Sequence, residues 1–235
     1  MDLYELFLGS GGWARLLCQG ALLTVAVAAV GLLIGAALGI ALAFARVSGG
    51  LPLRLMADAY TTVLRGVPDL LVIYLLYFGG SSLLSSLGNA VGATGFIGMP
   101  SFATGVVALG LVSAAYQAEV YRGAYQALPW GELEAARACG MRPALMFRRV
   151  IAPQVLRHAL PGLANVWQLV VKESALISVI GLVELMRASQ LGAGSTRMPF
   201  VFYAAALCLY LVITSVSGYL FLWAESVSFK PYRRA

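Results

Sequence analysis

Five long runs of apolar residues alternate along the chain with shorter polar stretches, and this pattern predicts membrane-spanning helices. A helix needs about 20 apolar residues to cross a bilayer, and each run is long enough. The first run is too long for the apolar core of a signal peptide, so we expect it to be retained. The whole chain, residues 1–235, is therefore predicted to be one all-α integral membrane domain. The predicted spans cover approximately residues 16–45, 55–80, 102–126, 158–182 and 200–225.

Breaks in the apolar pattern come at proline and glycine. The second predicted span is interrupted at residues 65–68, because Pro68 lacks a backbone donor and disfavours helix in the residue before it. We expect a bent or broken helix there, with the Asp69 carboxylate at the positive N-terminal end of the next segment. Residues 81–101 carry no charge and predict a loop or re-entrant segment, and residues 183–199 predict another loop.

Three glycines recur every fourth residue within the first predicted span, at Gly31, Gly35 and Gly39. This spacing places them on one stripe of a helix, where the absence of side chains lets a neighbouring helix approach closely in lipid. The stripe therefore predicts a tight helix–helix contact.

Composition narrows the class of protein further. Hydrophobic residues make up 60% of the chain and charged residues only 11%, whereas a soluble domain has about 25% charged residues. This excludes a water-soluble enzyme, a disordered protein and a disulfide scaffold. The three cysteines have no metal-like spacing, so we predict neither a disulfide nor a metal site.

The positive charges predict the orientation of the chain in the membrane. The formal net charge of +6 is interpreted as the positive-inside bias of membrane loops rather than as a nucleic-acid surface. One side of the predicted bundle carries ten basic residues and the other side three (Arg15, Arg187 and Arg197). We therefore expect the N-terminus outside and the C-terminus in the cytoplasm. The ten are Arg46, Arg54, Arg137, Arg142, Arg148, Arg149, Arg157, Lys230, Arg233 and Arg234.

The polar block at residues 127–157 is then cytoplasmic. Residues 132–139 suit a short helix, Gly140 supplies a turn, and Pro143 can begin a second helix. Ala135 and Ala136, directly after Glu134, leave a thin helix face that fits a groove on a partner protein. The alternative is an amphipathic helix that lies on the membrane surface.

Polar side chains inside the fourth predicted span suggest a substrate path. Asn165, Gln168 and Lys172 follow one helical stripe, and Glu173 lies about 100° away from Lys172. An amino acid needs an acceptor for its ammonium group and a donor for its carboxylate, and Glu173 and Lys172 offer both. The alternative is a structural role in helix packing or at a subunit interface.

Two further features are weaker candidates for the same path. Glu119 in the third predicted span is a candidate, although Arg122 is placed to neutralise it at a spacing of three residues. Tyr77 is another candidate, together with Tyr74 and Tyr116, although tyrosines near span ends are commonly interfacial anchors.

Several of these segments together resemble the membrane permeases of bacterial ABC importers. Glu134-Ala135-Ala136, Gly140 and Ile151-Ala152-Pro153 resemble the EAA loop of that family. Arg65-Gly66-Val67-Pro68 and Glu119-Val120-Tyr121-Arg122-Gly123 resemble motifs of its polar amino-acid branch. Residues 159–165 and 172–181 are similar to its fourth-span region. The resemblance covers about residues 12–228 and is strongest to the subunits of histidine/lysine-arginine-ornithine and opine importers.

The resemblance implies a type I (MetI-like) permease fold with about five transmembrane helices in a bacterial inner membrane. It implies a second permease subunit, identical or different, two ATPase subunits on the cytoplasmic face, and a periplasmic binding protein that delivers the amino acid or opine. Glu134, Ala135, Ala136 and Gly140 would belong to the coupling helix that meets the ATPase. The chain would itself carry no cofactor and catalyse no reaction.

Two other functions compete with this interpretation. A secondary amino-acid transporter driven by an ion gradient usually has more spans and an inverted repeat. A pure assembly subunit would need no polar stripe in its fourth span. The glycine-rich residues 192–196 lack the spacing and the lysine of a phosphate-binding loop, so ATP hydrolysis is expected in a partner subunit.

Overall fold

The computed structural model describes residues 6–7, 9, 12–90, 95 and 98–229, and most of these residues are helical. The first long helix, α1, spans Ala14–Ser48. It is followed by α2 (Leu51–Gly66), α3 (Asp69–Tyr74), a π-helical turn (Leu75–Gly79) and α4 (Gly80–Ala90). The chain continues with α5 (Ser101–Gln126), α6 (Trp130–Ala138), α7 (Pro143–Met146), a second π-helical turn (Phe147–Ile151) and α8 (Ala152–Glu173). A 3₁₀ segment (Ser174–Ile180), α9 (Leu185–Thr196) and α10 (Pro199–Phe229) complete it.

Five helical stretches of the described chain are long and apolar enough to cross a membrane. This number agrees with the five predicted spans. The stretches are Ala14–Ser48, Asp69–Ala90, Ser101–Gln126, Pro143–Ile180 and Pro199–Ser228.

The second stretch differs from the predicted span at residues 55–80. The expected break is present: α2 ends at Gly66, Val67 and Pro68 are extended, and α3 begins at Asp69. The apolar stretch that follows continues as helix to Ala90, through half of the segment predicted to be a loop. Serine and glycine there did not end the helix, because no proline occurs between residues 69 and 99.

The predicted loop at residues 183–199 is largely wrong, because α9 occupies Leu185–Thr196. Its N-terminus is capped by Glu184, whose carboxylate accepts hydrogen bonds from the backbone N–H groups of Met186 and Arg187, each at 2.8 Å. Leu185 and Ala188 are fully buried, so tertiary packing stabilises a helix that its glycine content disfavours.

The glycine stripe of α1 packs directly against α5, as its spacing predicts. A Cβ atom on Gly35 would overlap the Ser113 hydroxyl and lie 2.6 Å from Nε2 of Gln117. The same Gln117 nitrogen donates to the Leu32 carbonyl oxygen at 3.0 Å. The close approach therefore permits a direct hydrogen bond between the two helices in the core.

Glu184 joins three helices within this packing. Its side chain is fully buried, and beyond the α9 cap it accepts hydrogen bonds from Thr24 of α1 at 3.2 Å and Tyr210 of α10 at 3.1 Å. A buried carboxylate is costly unless donors surround it, and here four donors do so. Glu184 is thus a structural carboxylate.

Candidate functional site

The segment that resembles the EAA loop forms a helix–turn–helix. In α6, Leu133 is buried in a cluster with Leu128 and Ile151, and Ala136 is also buried, whereas Glu134 and Ala135 are exposed. The two alanines therefore lie on different faces and do not form the single thin face that the sequence suggested. The exposed side of α6 begins with Trp130, which is 67% exposed.

Gly140 ends α6 in the left-handed conformation that its position in the motif predicts, with φ of 69°. Its N–H donates to the Arg137 carbonyl at 2.9 Å, and the N–H of Met141 donates to the Ala136 carbonyl at 3.2 Å. These two bonds satisfy the last carbonyls of the helix in a Schellman arrangement. Pro143 then occupies the first turn of α7, where its missing N–H costs nothing.

The polar stripe of α8 points away from the core of the chain. Asn165 and Lys172 are exposed and Gln168 is half-buried. Lys172 and Glu173 diverge, because Glu173 is only 8% exposed while its neighbour faces outward. The structure therefore does not place these two side chains together as the donor and acceptor of one site.

Glu173 instead lies near Asp69, an acidic residue that the sequence predicted only to begin a helix. The carboxyl groups of Glu173 and Asp69 lie close enough to each other to interact. Among the described residues, no donor contacts Oε2 of Glu173. Two facing carboxyl groups without a donor repel each other unless a proton or a cation lies between them.

Tyr116 lies near this acidic pair, and Arg65 lies over the Tyr116 ring. Tyr116 of α5 lies within electrostatic range of Asp69, Glu173 and Arg65. The guanidinium carbon of Arg65 is 5.5 Å from the centroid of the Tyr116 ring, a cation–π geometry. Asp69 and Tyr116 lie near Glu173, and Arg65 lies over Tyr116, because the break at Pro68 ends α2 and begins α3 beside α5.

Glu119 lies in a separate ionic cluster. Its carboxylate contacts Arg46 at 2.6 Å, Arg122 at 2.8 Å and Arg65 at 3.5 Å. Arg46 also pairs with Asp58 at 2.5 Å, so the cluster ties α1, α2 and α5 together. The predicted Arg122 partner is present, and two further arginines join it. This arrangement favours the structural role for Glu119 over a direct substrate contact.

Tyr77 belongs to neither group. It lies in the π-helical turn and packs partly buried against the core, with its ring 5.2 Å from Phe78 in an edge-to-face contact. Tyr77 therefore contributes to helix packing through its aromatic ring.

A comparison with known families identifies the class of protein. The family described as "Binding-protein-dependent transport system inner membrane component" matches residues 35–226, and the chain belongs to this family. The octopine transport system permease protein of Rhizobium meliloti is 57% identical over 226 residues, which cover 96% of this chain and 95% of that protein. The histidine/lysine/arginine/ornithine transport system permease protein of Escherichia coli (strain K12) is 36% identical over 214 residues, covering 91% and 93%.

A solved structure agrees with these relatives. The structure described as "Crystal structure of an amino acid ABC transporter with histidines" matches with a TM-score of 0.78 at 33% identity, covering 91% of this chain and 94% of that one. The predicted ABC importer permease fold is confirmed. These likenesses support an integral inner-membrane permease subunit and do not support the secondary transporter.

Proposed function

We propose that this permease carries cationic amino acids or their opine derivatives, and that Asp69 and Glu173 hold the cationic group of the substrate. The observation behind this proposal is the buried Glu173 carboxylate, which faces Asp69 and has an oxygen that no described donor contacts. Ionisable groups inside a membrane span are costly and usually face a cavity, a partner or a substrate. A guanidinium or ammonium group supplies the missing donors and cancels the repulsion between the two carboxylates.

The relatives point to the same chemistry. Their names include octopine, histidine, lysine, arginine and ornithine, which are compounds with a basic nitrogen group. A permease for such substrates needs an acceptor inside the membrane, and the acidic pair is such an acceptor. The competing explanation is that the two carboxyl groups share a proton and only hold α3 against α8.

The same proposal includes the partners that the family resemblance implies. Asn165 and Lys172 are exposed within a membrane span, where contact with lipid would be expensive. A second permease subunit that encloses a wet path along this face removes that cost. The exposed side of α6, with Glu134, Ala135 and the Gly140 turn, offers a contact for an ATPase subunit. A periplasmic binding protein delivers the substrate on the opposite side.

The proposed orientation places the N-terminus in the periplasm and α6 in the cytoplasm. Arg46, Arg54, Arg65 and Arg122 gather around Glu119 and Asp58 at the end of the bundle next to α6. This accumulation of arginines supports the positive-inside assignment. The basic tail, residues 230–234, lies outside the described residues.

The test of the cation site is Glu173→Gln in the complete transporter. Uptake into proteoliposomes is measured with arginine and with a neutral substrate, each normalised to assembled complex. We expect the ratio of arginine uptake to neutral uptake to fall about tenfold, because a neutral amide cannot replace a charge-assisted hydrogen bond.

Glu184→Gln is the matched control, since Glu184 is also a buried carboxylate but has its own donors. It should lower the yield or thermal stability of the complex and leave the ratio unchanged. An equal loss of arginine and neutral uptake in Glu173→Gln would show that the acidic pair only holds helices together.

A further inference from the structure

The arginine cluster at the end of the bundle next to α6 carries more positive charge than its acidic partners cancel. Its four arginines surround two carboxylates, those of Asp58 and Glu119, so two positive charges remain in surplus. A basic pocket at the cytoplasmic edge of a membrane protein attracts anionic groups. The four arginines are Arg46, Arg54, Arg65 and Arg122.

Arg54 has donors that this cluster leaves unused. Arg46 and Arg122 are held by Glu119, at 2.6 and 2.8 Å. The side chain of Arg54 is 64% exposed, and its ionic partner among the described residues is Asp58 alone, at 3.8 Å. That distance is too long for a hydrogen bond. The planar fork of Arg54 can therefore form two parallel hydrogen bonds to the oxygens of an anion, an arrangement that suits phosphate.

A cavity of about 290 Å³ brings further donors to Arg54. It lies between α1, α2, α5 and the start of α6, and three arginines and one carboxylate line it. Tyr125 of α5 and Trp130 of α6 also line it and offer a hydroxyl and an indole N–H. Both aromatic residue types are common at the level of lipid headgroups, because their rings are apolar and their tips are polar. The cavity thus combines surplus positive charge with interfacial aromatic residues.

The edge of this cavity is apolar as well as charged. Val47 of α1 lines it, and Leu51 and Leu55 of α2 are 71% and 58% exposed. Leu51 lies three positions before Arg54, so the two side chains are neighbours on the surface of α2. Exposed leucines beside a phosphate-sized pocket favour a ligand with acyl chains over a free phosphate ion, which would leave them uncovered.

We propose that this cavity binds the phosphate group of an anionic phospholipid, with Arg54 as its main contact and the acyl chains along Leu51 and Leu55. The bound lipid would touch α1, α2, α5 and the first turn of α6 together. It would therefore connect the membrane helices to the proposed coupling helix. This proposal does not depend on which substrate the permease carries.

The experiment measures which lipids stay bound to the complete transporter. The complex is purified with equal amounts of phosphatidylglycerol and phosphatidylcholine that have the same acyl chains, and native mass spectrometry counts the retained molecules of each. Both lipids carry a phosphate, but the choline cation cancels its charge, so the wild-type complex should prefer phosphatidylglycerol. We expect the ratio of retained phosphatidylglycerol to phosphatidylcholine to fall about fivefold in Arg54→Gln, the effect of one basic residue beside an anionic lipid.

Two variants separate a specific site from a general effect of charge. Arg142→Gln removes the same charge from another exposed arginine on the same side of the predicted bundle, outside the cavity, and should stay within about twofold of the wild-type ratio. Arg54→Lys keeps the charge but loses the planar fork, so its ratio should be intermediate.

Inorganic phosphate in large excess distinguishes the two sources of the phosphate group. The lipid gains affinity from its acyl chains, so phosphatidylglycerol should remain bound. Its displacement by inorganic phosphate would overturn the lipid as the occupant of the cavity.

Three other results would also overturn the proposal. The first is an equal ratio in wild type and Arg54→Gln, and the second is an equal fall in Arg142→Gln. The third is a loss of copurified ATPase from Arg54→Gln with unchanged lipid, which would assign Arg54 to a protein contact instead.

Discussion

Gly35 marks a very close approach between α1 and α5, so its lack of a side chain has a measurable consequence. Gly35→Ala would push a methyl group into the Ser113 hydroxyl and toward Gln117. Overpacking of this kind costs about 1–3 kcal/mol. We expect a lower melting temperature of the purified complex. Gly123→Ala is the control on α5, because nothing lies within 4 Å of its added Cβ. Equal melting temperatures for Gly35→Ala and Gly123→Ala would show that α1 and α5 can move apart to accommodate the added methyl group at little cost.

At the scale of single residues, the sequence indicated Glu173 but not its partner. Residues 69 and 173 lie on different helices and are 104 positions apart, and no periodicity connects such positions. Lys172 was the more obvious neighbour, yet adjacent helical residues point about 100° apart and do not face each other. The available signal was the break at Pro68, which places Asp69 at the start of a helix inside the apolar region. A carboxylate is energetically costly there unless it has a binding partner or a functional role.

At the scale of elements, the turn after α6 gives the clearest prediction. Gly140 has φ of 69°, and the space around it is open, so only its backbone conformation restricts substitution. Gly140→Val should strain the turn by about 1–2 kcal/mol and disturb the proposed coupling helix, whereas asparagine tolerates this conformation. We expect Gly140→Val to retain ATP hydrolysis but to lose substrate uptake in proteoliposomes.

Gly140→Asn is the corresponding control and should retain both activities. Normal uptake by Gly140→Val at equal protein levels would remove the coupling role of this turn. A loss of ATP hydrolysis together with uptake would instead mean that the ATPase no longer docks, which differs from uncoupling.

Elements with a strong local signal could be predicted from the sequence, and elements stabilised by tertiary contacts could not. The long apolar helices, the glycine stripe and the Gly140 turn follow from spacing and backbone preference. Helix α9 does not, because its glycines, Gly192 and Gly194, indicate a loop. Its formation depends on the Glu184 cap and on the burial of Leu185, which are properties of the assembled fold.

At the scale of the whole molecule, the distribution of arginines predicts the orientation of the chain in the membrane. The described arginines around Glu119 and Asp58 lie at the same end as α6, whereas α4 is uncharged. By the positive-inside rule, we expect α6 to lie in the cytoplasm and the end of α4 to lie toward the periplasm. The proposed docking of the ATPase to α6 depends on this orientation.

Cysteine labelling in intact cells tests the orientation. Cys18, Cys139 and Cys208 are all exposed, so they are first replaced by serine. Ser86 in α4 and Arg142 in the turn before α7 are both exposed and serve as single-cysteine positions. We expect Ser86→Cys to react with a membrane-impermeant thiol reagent from outside. Arg142→Cys should react only after the cells are permeabilised, which also proves that its thiol is accessible. The reverse pattern would place α6 in the periplasm, where no ATPase could reach it.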